Sequence, residues 1–253
     1  MSYPALLAES LTKRFAGRDG NSVTAVEDVS FQVAGGECVG VVGGSGGGKS
    51  TVARMATGLV RPTSGKVLLG GIDVAQLRCK DRMRVTSLVQ MVFQNPAASF
   101  DSKRTLGQGA AEALRNQGMG RRERQAVVRE LFLRCGLPEG MWDRYPREVS
   151  GGQCQRAAIA RALAPNPRLV VLDEATSALD VTVPAQILDL LREVRAERHA
   201  SYLFVCHDLA VAQGFCDRLL VMWQGRVVEE GTVEQVLMDP QHDYTKQLIE
   251  ASL

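Results

Sequence analysis

The sequence predicts an α/β fold: a mostly parallel sheet, an N-terminal antiparallel β subdomain and an inserted α-helical subdomain. Three observations predict it. An apolar run, Cys38-Val39-Gly40-Val41-Val42, leads into a glycine loop and then a helical pattern. Further apolar runs at 169–172, 202–206 and 219–222 alternate with helical stretches such as 186–195, the order that builds a parallel sheet. From 105 to about 137 the pattern is helical. These imply a single domain over 1–253, with an α/β core from 1–95 and 165–253 and a helical lobe inserted at 96–164.

Taken in order, residues 5–33 alternate apolar and polar, with Leu7, Leu11 and Phe15, then Val23-Thr24-Ala25-Val26 and Val29-Ser30-Phe31-Gln32-Val33, broken at Gly17, Asp19-Gly20-Asn21 and Gly35-Gly36. This predicts short antiparallel strands with turns. After the first helix, a turn at 58–65 precedes a strand at Lys66-Val67-Leu68-Leu69, and Leu88-Val89-Gln90-Met91-Val92-Phe93 forms a buried strand ending at Gln94-Asn95-Pro96. The basic run Arg121-Arg122-Glu123-Arg124 reads as a solvated helix face rather than a binding patch.

Composition sets limits. With 45% hydrophobic and 23% charged residues the chain is an ordinary globular one, and a formal charge of +2 gives no electrostatic case for nucleic acid. The six cysteines include no CxxC pair, as expected of reduced thiols rather than a disulfide framework or zinc site. The N-terminus lacks a basic region followed by a long apolar stretch, and no run reaches the ~18 apolar residues of a membrane span. Work at a membrane would need something else to hold the chain there.

The chemistry concentrates at Gly43-Gly44-Ser45-Gly46-Gly47-Gly48-Lys49-Ser50-Thr51. Strand, glycine loop and helix in this order are the context of a phosphate-binding P-loop. Glycines let backbone N–H groups converge on an anion, and the helix N-terminus directs free N–H groups and a positive dipole to the same point. Lys49 reaches β- and γ-phosphates and the Ser50 hydroxyl holds Mg²⁺ in such a loop. The bland alternative is a flexible linker, which the flanking strand and helix oppose.

A second apolar strand ends in Asp173-Glu174. Carboxylates at the end of a buried strand are costly unless used. Beside a P-loop, Asp173 suits Mg²⁺ and Glu174 suits polarising a water for attack on the γ-phosphate. The competing reading is a helix N-cap, since Thr176 and Ser177 follow. Ser150-Gly151-Gly152-Gln153 opens another helix, with Ser150 as N-cap, and offers a second anion site. Two such sites mean two nucleotides, or one shared between two copies. His207 follows the strand 202–206 and stands either as a structural histidine or as a γ-phosphate contact.

Together these residues resemble the ATP-binding subunits of ABC transporters, over nearly the whole chain. Lys49 and Ser50 match Walker A, Gln94 the Q-loop, Ser150-Gly151-Gly152-Gln153 the signature, Asp173 and Glu174 Walker B, Ser177-Ala178-Leu179-Asp180 the D-loop and His207 the switch histidine. The resemblance implies ATP and Mg²⁺ as ligands, a head-to-tail pair with a second ATPase subunit (usually a paralogue in this branch), Glu174 as catalytic base, and Gln94 as a sensor of magnesium and γ-phosphate. Phe15 matches the adenine-stacking aromatic, its alternative being a core side chain. The resemblance further implies two permease subunits docking on the helical lobe, a solute-binding protein acting indirectly, and a peripheral place on the cytoplasmic face of the membrane. Val89-Gln90-Met91-Val92-Phe93-Gln94-Asn95-Pro96 and the tail Asp239-Pro240-Gln241-His242-Asp243-Tyr244-Thr245-Lys246-Gln247-Leu248 are similar to the peptide and nickel importer branch. An end at Leu253 favours the short nickel or metallophore members within that resemblance. The second reading is a non-transport ATPase of the same type, such as an accessory subunit of a phosphonate-degrading complex. Gly47, Val149, Cys154 and Asp243 depart from the family pattern, and none is a catalytic side chain.

Overall fold

The computed structural model describes residues 3–17, 21–74, 85–175 and 183–251. Strands β1 (Leu6–Ala16), β2 (Ser22–Val33), β4 (Ser64–Leu69) and β5 (Ile72–Asp73) form an antiparallel sheet in the order β2-β1-β4-β5. The expected short strands at the N-terminus are two long ones, with register shifts between Ala8 and Arg14 that bend them.

The second sheet runs β10-β9-β3-β8-β7-β6. Its members are β3 (Cys38–Val42), β6 (Val89–Val92), β7 (Leu169–Asp173), β8 (Ser201–Val205), β9 (Arg218–Trp223) and β10 (Arg226–Thr232). Pairing is parallel from β6 through β9, and only β10 is antiparallel. Strands β3, β7 and β8 are buried along their whole length, as strands covered on both faces must be. Alternate residues serve two cores. Val42, Leu172 and Phe204 face the cluster beneath the helices, while Val41, Val171 and Val205 face the one shared with α1 (Lys49–Ala56) and the antiparallel sheet.

Between β6 and β7 lie α2 (Leu106–Ala110), α3 (Glu112–Asn116), α4 (Arg121–Arg134) and α5 (Gly151–Leu163). The helical pattern expected over 105–137, with segments at 110–114 and 121–133, is three helices, parted at Ala111 and at the turn 117–120. After β7 come α6 (Val183–Arg198), α7 (Leu209–Phe215), α8 (Val233–Met238) and α9 (Asp243–Glu250). Among the described residues no helix is long and apolar enough to cross a membrane.

Candidate functional site

The parallel sheet brings the predicted residues to one edge, because β3, β8 and β7 are neighbours and all end there. That is where ligands of such sheets bind. The ends are tied together: Cys206 N–H donates to Val41 O at 3.2 Å and Glu174 N–H to Val205 O at 3.0 Å.

The glycine loop leaves β3 pressed against β9. Gly43 has φ +141°, and a Cβ there would lie 2.1 Å from Met222 O, so no other residue fits without moving the strand. The turn after β9 supports the far side of the loop, Gly225 N–H donating to Gly47 O at 3.2 Å. Helix α1 then starts with no side-chain cap, which leaves its first-turn N–H groups for a ligand. Ser45 and Gly46 are exposed and Thr51 is half-buried.

Lys49 folds back over this loop. Its Nζ donates to Gly43 O and Gly44 O, both at 2.8 Å, and the residue is only 6% exposed. Burial pushes its pKa below the ordinary lysine value, against the opposing pull of Glu174 and Asp173. The ammonium has two carbonyl dipoles but no carboxylate within salt-bridge distance among the described residues.

Ser50 Oγ donates to Asp173 Oδ1 at 2.8 Å, joining α1 to the end of β7. Asp173 is 1% exposed. Burial raises its pKa above the usual carboxylate value, partly offset by the Ser50 hydrogen bond and the charges of Arg54 and Lys49. Glu174 follows with φ +50°, a left-handed conformation that a non-glycine residue holds at a cost. Its Oε2 accepts from Gln94 Nε2 at 2.6 Å. Gln94 lies just beyond β6, so the outer strand also contributes to the site.

Other predicted residues are placed less directly. His207 is exposed just past β8, the strand between those carrying the loop and the carboxylates. Phe15 sits on β1, 43% exposed, with Lys13 Nζ 5.1 Å from its ring centroid. It is a surface aromatic, not a core one. Ser150 caps α5 as expected: its Oγ accepts from Gln153 N–H at 3.2 Å and its N–H donates to Gln153 Oε1 at 3.0 Å, a reciprocal capping box. Beyond Gly151 there is open space. No hydrogen bond among the described residues joins Ser150–Gln153 to the glycine loop. Asp180, with the rest of Ser177-Ala178-Leu179-Asp180, lies outside the described residues.

Sequence reading missed two participants. Gln155, fully buried, donates from Nε2 to Ala175 O at 2.8 Å, linking α5 to the residue after Glu174. A second glutamine two positions past the capping box was the available signal. Tyr244 on α9 accepts the N–H of Gly44 at 2.6 Å through its hydroxyl. Nothing local in the sequence joins positions 200 residues apart.

The site therefore has an anion cradle, a buried ammonium, a hydroxyl–carboxylate pair and a second carboxylate held by an amide. These are the parts needed to bind a nucleoside triphosphate and deliver water to its terminal phosphorus. The ABC transporter family model matches residues 26–177, which contain the cradle, Gln94, Ser150–Gln153, Asp173 and Glu174. A probable peptide ABC transporter ATP-binding protein (y4tS) of Sinorhizobium fredii is 45% identical, covering all of this chain and 73% of that protein. The oligopeptide transport ATP-binding protein OppF of Salmonella typhimurium is 44% identical, covering 91% of this chain and 70% of that protein. Among solved structures, the dimeric ABC transporter cassette MJ0796 superposes with a TM-score of 0.85 at 29% identity, covering 90% of this chain and 98% of that one. The same cassette in a post-hydrolysis state bound to ADP and Pi gives 0.84 over the same coverage. This chain belongs to the ABC transporter family, as an ATP-binding cassette that hydrolyses ATP.

Proposed function

We propose that this chain is the energy-coupling ATPase of an importer for peptide-type cargo. In this reading ATP lies on Gly43–Thr51 of one subunit and is closed over by Ser150–Gln153 of a second ATPase subunit, a copy or a paralogue. The observation that carries it is the 2.8 Å contact between Ser50 Oγ and Asp173 Oδ1, which joins the phosphate cradle to the carboxylate strand. The open space beyond Gly151, at an uncovered helix start, supports the sharing of one nucleotide between two subunits.

The donor set fits Mg²⁺. A hydroxyl, a buried carboxylate with raised pKa and a nearby amide are hard oxygen ligands, and Mg²⁺ characteristically uses one or two carboxylates together with phosphate rather than a protein cage. Ser50, Asp173 and Gln94 would hold the ion, which would stabilise the negative charge of the triphosphate. Lys49 exchanges the Gly43 and Gly44 carbonyls for phosphate oxygens. Glu174 accepts a proton from the attacking water, and His207 contacts the γ-phosphate. Phe15 stacks on adenine, and Asp180 is assigned to the nucleotide site from its sequence motif alone.

Two permease subunits dock where the helical lobe meets the sheet. A cleft of about 310 Å³ there is lined by Gln90, Ser99, Phe100, Arg104, Glu112 and Arg161. Arg161 ties its floor together, lying 4.3 Å from the centroid of the Phe100 ring and donating to Ser99 O and Oγ. Gln94 begins the segment that leads into this cleft, so lobe movement is transmitted to Glu174. The chain would then sit peripherally on the cytoplasmic face, with a solute-binding protein delivering cargo on the other side.

The relatives reported above are named for peptides rather than for nickel, which supports peptide cargo over the metal expectation. The test is ATP hydrolysis by the chain assembled with its permeases and binding protein in proteoliposomes. Stimulation by short peptides is expected. Stimulation by a nickel chelate and not by peptides would overturn the cargo reading.

A further inference from the structure

We propose that Tyr244 is a positioning residue for nucleotide binding, acting from the C-terminal helix on the backbone of the phosphate loop. The proposal rests on the reading of Gly43–Thr51 as the ATP site. Its core is a single peptide unit. The N–H of Gly44 donates to Tyr244 Oη at 2.6 Å, and the carbonyl of Gly43, the other half of the same planar unit, accepts from Lys49 Nζ at 2.8 Å. In a trans peptide the two groups point in opposite directions. Fixing the N–H from one side therefore fixes the carbonyl that docks the lysine on the other.

The hydroxyl is itself held on rigid elements. The Tyr244 ring stacks on Trp223 at the end of β9, with centroids 5.5 Å apart and planes at 20°. Tyr244 N–H donates to His242 Nδ1 at 3.1 Å, and the Glu229 carboxylate on β10 accepts the N–H groups of Gln241 at 2.8 Å and His242 at 3.0 Å. Strand β9 is also the one against which the loop presses, through Met222 O beside Gly43. Loop and tail thus share one support.

The loop has particular need of such a brace. Of the six residues from Gly43 to Gly48, five are glycine and only Ser45 carries a side chain. A backbone this free loses the most entropy when it orders around an anion. An acceptor supplied from outside the loop removes part of that cost before ATP arrives. The arrangement also explains Gly44, where a Cβ would lie 2.9 Å from Tyr244 Oη. Any side chain there displaces the hydroxyl.

The two positions are thus predicted to act as one unit, and a double-mutant cycle reads that directly. Tyr244→Phe keeps the ring and its stack but removes the acceptor. It should raise Kd and KM for ATP about three- to tenfold, the range expected for one neutral hydrogen bond, with kcat at saturating ATP changed by less than about twofold. Gly44→Ala should raise Kd by a similar factor by pushing the hydroxyl away, and the double variant should bind ATP no worse than either single one. Lys49→Ala separates the two readings. If it binds ATP as the wild type does, the nucleotide-site reading falls. If it loses ATP while Tyr244→Phe binds normally, or while the two loop and tail substitutions prove additive, the site stands and the role of Tyr244 is overturned. A lower melting temperature in Tyr244→Phe with unchanged Kd would show a merely structural contact and would also overturn it.

Discussion

The carboxamide of Gln94 donates to the carboxylate of Glu174 across 2.6 Å. The two residues lie just beyond neighbouring parallel strands, β6 and β7, and the chain enters the helical lobe directly after Gln94. The glutamate proposed to activate water is therefore oriented by the residue at the root of the lobe. Gln94→Ala should keep ATP affinity within about threefold but slow hydrolysis about 10- to 100-fold, because a misplaced base loses the alignment it contributes. It should also raise the Mg²⁺ concentration giving half-maximal rate. Titrations of ATP and of Mg²⁺ in a steady-state assay check both, and a rate equal to wild type would remove Gln94 from the chemistry.

Asp173, the proposed Mg²⁺ carboxylate, carries a stability cost from its burial. Burial raises its folded-state pKa, so the folded protein retains a proton that the unfolded chain has lost. The stability from this group is present at low pH and falls as pH rises from the ordinary carboxylate value through the raised one. Asp173→Asn removes the penalty while keeping an acceptor for Ser50. Without Mg²⁺ at pH 7.5 it should melt about 2–5 °C above wild type, and the difference should vanish near pH 4. ATP turnover should fall at least about 100-fold. Thermal melts across pH, with and without Mg²⁺, measure the effect. Equal melting at pH 7.5 would contradict the burial argument.

Phe15 offers a test confined to the base. It is an exposed aromatic at the end of β1, and stacking of a base on an aromatic contributes about 1–3 kcal/mol. Phe15→Ala should weaken ATP binding about 5- to 150-fold and leave binding of inorganic triphosphate unchanged. Equilibrium binding of the two ligands distinguishes them. Equal losses for both would mean that Phe15 supports the loop rather than the adenine.

Gly43 is constrained by contact with its neighbour. A Cβ would meet Met222 O at 2.1 Å, at a φ of +141°. Gly43→Ala should fold with a melting temperature about 4–8 °C lower and lose measurable ATP binding, since the loop and β9 cannot both keep their places. Normal ATP affinity in a folded Gly43→Ala protein would contradict the packing of the loop on β9.

Much of this was legible in the sequence because it is local. Cys38–Val42, the glycines after it and Lys49-Ser50 form one contiguous strand–loop–helix unit, and each member's role follows from its immediate neighbours. The Ser150–Gln153 cap and the Asp173-Glu174 strand end are contiguous in the same way. What escaped is tertiary. The three-way break of 105–137 depends on how α2, α3 and α4 pack, since Ala111 carries no breaker signal of its own. Gln155 acts through a hydrogen bond to Ala175. The hold of Gln94 on Glu174 spans 80 positions, and that of Tyr244 on Gly44 spans 200. The tail containing Tyr244 was recognisable as a motif, but only the stacked position of its ring on Trp223 gives the tyrosine a task.

The central claim is that Glu174 is the base for ATP held on the glycine loop. The most direct measurement is single-turnover hydrolysis by Glu174→Gln, with ATP affinity and association state measured on the same protein. The account predicts ATP binding within about threefold of wild type, hydrolysis slowed by about 10²–10⁴, and ATP-dependent dimers that persist because the nucleotide survives. Turnover at the wild-type rate, with ATP bound normally, would contradict it.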